Sequence, residues 1–303
     1  MASLLGITVN IIGPIFLIVG LSVLIDRLFA PDPRVLSRLV IYLFTPCLVL
    51  DSLAHSSLQA EEMGQIVAMA VLSVVTMVFV GWVLGRVLGF DRKLAGGFML
   101  SVALMNAGNY GIPLNDFAFG QDGLQRAVIF YVATSVCIHT LGVFLASRGS
   151  APVGRSLLNV LMVPVPYAIV IGLALNATDT TMPFPITRAV RLLGQAAVPC
   201  MIVILGLKLS RTSIKGRLGP VLLATGTRLL IGPALAFPFA ALLGLSGVTR
   251  QVCIIEASMP TAVMTGVLAT EFGSDAEFTS ASILLSTLVS FVTLSVLLSL
   301  VIG

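Results

Sequence analysis

"LMNAGNYGIPL", Leu104 to Leu114, places two asparagines, two glycines and a proline inside one of the most apolar parts of a 303-residue chain. Gly and Pro interrupt helices, and Asn prefers caps and turns to helix interiors. The stretch therefore predicts a broken helix, and composition decides the setting of that break. Hydrophobic residues make up 57% of the chain and charged ones 10%, with a mean hydropathy of +1.08, whereas a soluble globule carries about 25% charge. Runs near the ~20 apolar residues needed for a bilayer crossing recur throughout. The expectation is an all-α integral membrane protein. Its first apolar run, Leu4 to Ile25, lacks a basic leading region and a small-residue cleavage site and reads as a retained helix. Cys47, Cys137, Cys200 and Cys253 all fall in apolar runs without CxxC spacing, so no disulfide, metal or cofactor is implied.

Turn and charge punctuation divides the chain into ten predicted spans: 4 to 29, 34 to 55, 62 to 88, 93 to 119, 122 to 147, 154 to 176, 186 to 209, 217 to 245, 249 to 272 and 275 to 302. "APDPR", "GSAPVG", "DTTMPFP" and "SIKGR" are the clearest breaks. The connections on one side hold twelve basic residues: Arg27, Arg34, Arg38, Arg86, Arg92, Lys93, Arg148, Arg155, Lys208, Arg211, Lys215 and Arg217. The other side holds four, Arg126, Arg188, Arg191 and Arg250. The positive-inside rule puts the twelve in the cytoplasm and both termini on the outer face of a bacterial plasma membrane. The net charge of +4 reflects that asymmetry, and no basic cluster with interleaved aromatics suggests nucleic acid.

An internal repeat organises the spans. Arg38 and Arg191, Pro46 and Pro199, Cys47 and Cys200, Phe119 and Phe272, Gly120 and Gly273, and Asp122 and Asp275 are each 153 residues apart. Pro14 with Pro166 and Gly20 with Gly172 follow at 152. An offset held this long is hard to obtain by chance. Each half, 1–148 and 154–303, contains five spans, an odd number, so the second must enter the membrane upside down. Inverted repeats of this kind build secondary transporters. At the same offset "NAGNYGIP" lies against "MPTAVMTG" from Met259, so Gly108 and Pro260 mark matching interruptions in spans four and nine. Half-helices starting near Asn109 and Thr261 would aim positive dipole ends at the midplane, which suits an anion.

"NAGNYGIPL" followed by "FG" resembles the Asn-x-Gly-x-x-Gly-Ile-Pro-Leu signature of the auxin efflux carrier family, and "ASMPTAVMTGVLATEFG" with "SILLSTLVSFVTL" resembles its ninth and tenth helices. The resemblance implies a fold related to bile-acid and sodium/proton transporters, with crossing helices 4 and 9 and elevator-type alternating access. It implies a scaffold of helices 1, 2, 6 and 7, often a homodimer interface, and a transport body of helices 3, 4, 5, 8, 9 and 10. It further implies small organic anions, auxin-like or malonate-like carboxylates, as substrates. Unlike many plant members, the chain has only "ASRGSAPVGR" as its central connection. The alternative is a sodium-coupled bile-acid-type organic anion symporter, distinguishable by sodium dependence.

The candidate substrate-binding residues are Asn106, Gly108, Asn109, Pro113, Pro260, Thr261 and Thr265. The two asparagines are expected to cap a half-helix and face substrate, and the prolines to act through geometry. Glu256, near the negative end of the first half of span nine, and Arg228, about eleven residues into span eight, are charges too deep to ignore and are candidates for ion or proton coupling. Asp51 fits either a helix exit at the interface or coupling. Pro46 and Pro199 read as kinks or, failing that, as lining the crossing point, Cys47 and Cys200 as packing residues, and Trp82 as a lipid contact or packing residue. His55 and His139 read as interfacial and helix-end residues without a ligand partner at helical spacing. No nucleophile, base and orienting group share a segment and no HExxH-like pair occurs, which argues against an enzyme. Broken helices in inverted repeats are expected of carriers with a closed midplane site, so a channel is the weaker reading.

Overall fold

The computed structural model describes residues 4–147, 163–212 and 218–302. Both chain ends, Arg148, Arg155, Lys215, Arg217 and the start of the predicted sixth span lie outside the described residues. A short turn at Leu4–Ile7 leads into eleven helical stretches among the described residues. They are α1 (Thr8–Phe29), α2 (Pro33–Ala54), α3 (Ala60–Val87), α4 (Arg92–Ala103), α5 (Ala107–Ala146), α6 (Val165–Ala177), α7 (Phe184–Ser210), α8 (Leu218–Leu242), α9 (Gly247–Ala257), α10 (Met264–Phe272) and α11 (Ala276–Ile302). Seven of them, α1, α2, α3, α5, α7, α8 and α11, are long and apolar enough to cross a membrane. The chain is a multi-pass membrane protein, and no strand occurs among the described residues.

Two predicted spans, the fourth and the ninth, are each split into two helices. The fourth becomes α4 and the first arm of α5, and the ninth becomes α9 and α10. The start of the second arm of span nine differs from expectation, because regular helix resumes at Met264 and not near Thr261. α5 runs for 40 residues, and as one straight rod it would measure about 60 Å, twice the roughly 30 Å hydrocarbon core. Gly120 resolves this with φ 60° and ψ −146°, a backbone closed to residues with a Cβ, and turns the chain where spans four and five were divided.

Among the described residues five short π-helical turns interrupt the regular helix, and four share one cause. Thr8–Ile12, Val40–Phe44, Ala107–Gly111 and Thr227–Ile231 each end two residues before a proline, Pro14, Pro46, Pro113 and Pro233 respectively. Proline lacks an N–H, and its ring crowds the carbonyl four residues back. Widening the preceding turn relieves that crowding and lets carbonyls find donors five residues on. The bonds from Thr45 N–H to Val40 O and from Ile112 N–H to Ala107 O have this spacing. Ile138–Gly142 has no proline after it.

Aspartates cap some of the helix starts. The Asp91 carboxylate accepts from Lys93 N–H at 2.9 Å and Leu94 N–H at 3.0 Å to start α4. Asp275 accepts from Phe278 N–H at 2.9 Å at the head of α11. The helices pack chiefly as two groups, α1, α2, α6 and α7 on one side, and α3 to α5 with α8 to α11 on the other. Small residues allow close approach within each group. A Cβ on Gly206 of α7 would stand 2.6 Å from Ser22 Cβ of α1, and one on Gly172 of α6 would stand 2.9 Å from Leu53 Cβ of α2. In the second group a Cβ on Gly97 of α4 would stand 2.9 Å from Thr279 Oγ1 of α11.

Candidate functional site at the crossing of two broken helices

Between α4 and α5 the chain leaves the helix over residues 104–106, extended at Leu104, and between α9 and α10 it leaves the helix over residues 258–263. These segments meet. Met105 and Thr261 form an antiparallel bridge, in which Asn106 N–H donates to Pro260 O at 2.8 Å and Ala262 N–H donates to Leu104 O at 2.8 Å. Thr261 N–H donates to Ser286 Oγ of α11 at 3.2 Å, and Thr261 Oγ1 donates to Ser101 O at 2.8 Å. Backbone groups freed inside a membrane must be satisfied by protein or water, and here each break satisfies the other. Proline suits position 260 because the bridge uses only its carbonyl.

Arg228 secures the crossing from the side. Fully buried on α8, it donates from Nη1 to Val102 O at 3.1 Å and from Nη2 to Ala257 O. Both carbonyls lie at the C-terminal, negative ends of α4 and α9. One guanidinium therefore caps both half-helices. Gly232 makes room for it, since a Cβ there would stand 2.9 Å from Nη2. Glu256, also fully buried, does not pair with Arg228. Its Oε1 accepts from Asn115 Nδ2 at 2.9 Å, and the same amide donates to Gly111 O at 3.0 Å. Asn115 was absent from the sequence-based candidates. An amide two residues after Pro113 was the available signal.

A cavity of about 100 Å³ opens beside the crossing, between α2, α5 and α7. Asn106, Gly108 and Asn109 line it from the first break, Ala262, Val263 and Met264 from the second, Thr45 from α2, Tyr131 and His139 from the far arm of α5, and Lys208 from α7. Asn106 is 4% exposed and its Nδ2 has no hydrogen-bond partner. A Cβ on Gly108 would stand 2.8 Å from Tyr131 Cε2, so glycine lets the ring lie against the break. Pro113, Pro260, Thr261 and Thr265 are buried and do not line this cavity. Thr265 Oγ1 donates to Ala262 O at 2.7 Å.

Several expectations need correction. Asn106 sits at the N-cap position of α5 but makes no side-chain cap bond, and Asn109 lies within the π turn. The first turn of α5 thus leaves both amides free of the capping role. Lys208, counted among loop cations, belongs to the last turn of α7, which continues to Ser210, and its ammonium makes no ion pair among the described residues. His139 lies in a mid-helix π turn and lines the cavity, so it is no helix-end residue. His55 does have a helical-spacing partner, with Nδ1 3.2 Å from Asp51 Oδ1. Asp51 also lies 3.8 Å from Arg191 Nε, and all three line a separate cavity of about 460 Å³ nearer the other end of α2 and α7.

The membrane transport protein family matches residues 14–153 and 153–298. An uncharacterized transporter of Methanothermobacter thermautotrophicus is 30% identical over 269 residues, 87% of each chain. Another, of Methanocaldococcus jannaschii, is 27% identical over 276 residues, covering 86% of this chain and 87% of its own. A Rhizobium meliloti protein described as a proposed malonate transporter is 30% identical over 131 residues, 43% of this chain and 41% of its own. With both halves matched, and with a relative similar over most of its length, the chain belongs to the membrane transport protein family, the family of the auxin efflux carriers.

Proposed function

We propose that this protein is a secondary transporter that carries small carboxylates across the plasma membrane by elevator-type alternating access. One observation carries the proposal: the crossing of two broken helices borders a cavity lined by Asn106, whose Nδ2 has no hydrogen-bond partner, by Asn109, and by Lys208, which makes no ion pair among the described residues. The first turn of α5 adds the positive end of a helix dipole. A buried carboxylate must regain in hydrogen bonds what it loses from water, and charge-assisted donors of this kind replace that shell. At about 100 Å³ the cavity lies far below the roughly 300–1,000 Å³ of pockets for drug-sized ligands. This favours an acid of malonate size over an indole, in keeping with the description of the Rhizobium relative.

The wider architecture follows from the same reading. α4 with the first arm of α5 makes one crossing, the second arm of α5 another, and α9 with α10 a third, giving ten in two inverted units, 1–148 and 154–303. α1, α2, α6 and α7 serve as the scaffold and the homodimer surface, and the remaining helices move as a body. The packing of the helices into these two groups supports the division. Uptake of radiolabelled malonate into proteoliposomes tests the proposal. Lys208→Met and Asn106→Leu are each expected to lower initial uptake at sub-saturating malonate by about fivefold or more, for a loss of roughly 1–3 kcal/mol. Unchanged uptake in both variants rejects this site.

A further inference from the structure

We infer that Glu256 is a proton-binding site and that its proton is carried with the substrate. The inference rests on the carrier reading above for the coupling, and on the geometry of Glu256 alone for the proton. The side chain lies in the last turn of α9, with Oε1 held by Asn115 Nδ2 at 2.9 Å. Oε2 has no hydrogen-bond partner, and neither has Asn115 Oδ1. The carboxyl lies against the backbone of Gly111, where a Cβ would stand 2.6 Å from its Cδ, so the first turn of α5 is shaped around it.

Among the described residues no cation answers this carboxyl. From α8, Arg228 is committed to Val102 O and Ala257 O. From α5, Tyr110 is a buried phenol, and Arg126 is held by Glu62 of α3 and by Thr249 at the head of α9. On α9 itself the nearest titratable group is Cys253, one turn back, and buried α11 contributes hydroxyls such as Ser286, Thr287 and Ser290. A bare carboxylate there would be dehydrated, unpaired and placed at the negative end of α9. One proton on Oε2 removes the charge. It also supplies a donor to a pair of side chains whose two free oxygens are both acceptors, as an acid and an amide require. The proton comes from water on one face, forms an O–H bond at Oε2 and leaves to water on the other face. Nothing is oxidised or reduced.

Two measurements test this. In infrared spectra of the purified protein at neutral pH, a protonated-carboxyl carbonyl band should be present, disappear in Glu256→Gln and shift in Asn115→Leu. In proteoliposomes loaded with a pH-sensitive dye, malonate entry into wild type should move protons, and Glu256→Gln should move none with whatever malonate it still carries. The inference is overturned by a carboxylate at Glu256 at neutral pH, by proton movement that survives Glu256→Gln, or by malonate transport that follows a sodium gradient and no pH gradient. Absence of any malonate transport in wild type would count against the carrier reading, and the infrared band would still decide the proton site.

Discussion

Arg228 stands where two helices end, and its worth lies in the groups it satisfies. With Nη1 on Val102 O and Nη2 on Ala257 O, it removes two orphan carbonyls that membrane depth would otherwise leave bare. Arg228→Met should destabilise the protein by about 1–3 kcal/mol for each carbonyl released. Thermal unfolding in detergent should show a lowered midpoint, and Arg228→Lys should recover only part of it, because one ammonium lacks the fork that spans both ends. An Arg228→Met midpoint equal to wild type would remove the capping role. Gly108 makes a different demand. Its missing side chain leaves room for the Tyr131 ring, and Gly108→Ala should push that ring toward the cavity. The expected result is weaker malonate binding with an overpacking cost of about 1–3 kcal/mol. Calorimetric affinity together with thermal unfolding on one preparation separates the two effects.

The elements show which parts of the structure a sequence can announce. Gly108, Pro113 and Pro260 advertised the breaks, because glycine and proline act on the backbone locally. The bridge between Met105 and Thr261 was not legible, since it joins segments more than 150 residues apart through main-chain atoms of no particular identity. Lys208 was misplaced for a related reason. A lysine near the end of an apolar run reads as a residue reaching for water, and only the packing of α7 against the first turn of α5 turns it toward a cavity. Pro46 was read as a kink and Pro113 as acting through geometry, but the consequence shared by Pro14, Pro46, Pro113 and Pro233, a π turn ahead of each, depends on how helix carbonyls find new donors. Close packing between elements also separates the glycines. Gly206→Ala should cost about 1–3 kcal/mol, because its Cβ would meet Ser22 Cβ at 2.6 Å and Val19 O at 2.7 Å, forcing α1 from α7. Gly20→Ala meets no atom within 4 Å and should be neutral or stabilising by up to about 1 kcal/mol through helix propensity. Parallel unfolding curves check the pair, and equal effects would contradict the packing described.

At the scale of the whole molecule, two cavities lie along the same three helices. The smaller, beside the crossing, is bordered by Lys208, and the larger by Arg191, His55 and Asp51. α7 carries Arg191 near one end and Lys208 near the other, so the seam between α2, α7 and α5 offers a basic group toward each face. The proposed inverted repeat accounts for this, because at an offset of 153 Arg191 corresponds to Arg38 and Lys208 to His55. Orientation can be tested on the described loops. In a background without the four native cysteines, Ser57→Cys should react with an impermeant maleimide from outside the cell and Arg92→Cys only after permeabilisation. The reverse pattern would invert the topology. The central claim, a carboxylate held at the crossing of the two broken helices, is tested most directly by calorimetric titration of malonate into purified wild type and Asn109→Leu. Loss of a buried polar contact of about 1–3 kcal/mol predicts a dissociation constant raised roughly fivefold to more than a hundredfold. An unchanged dissociation constant in a correctly folded Asn109→Leu protein would contradict it.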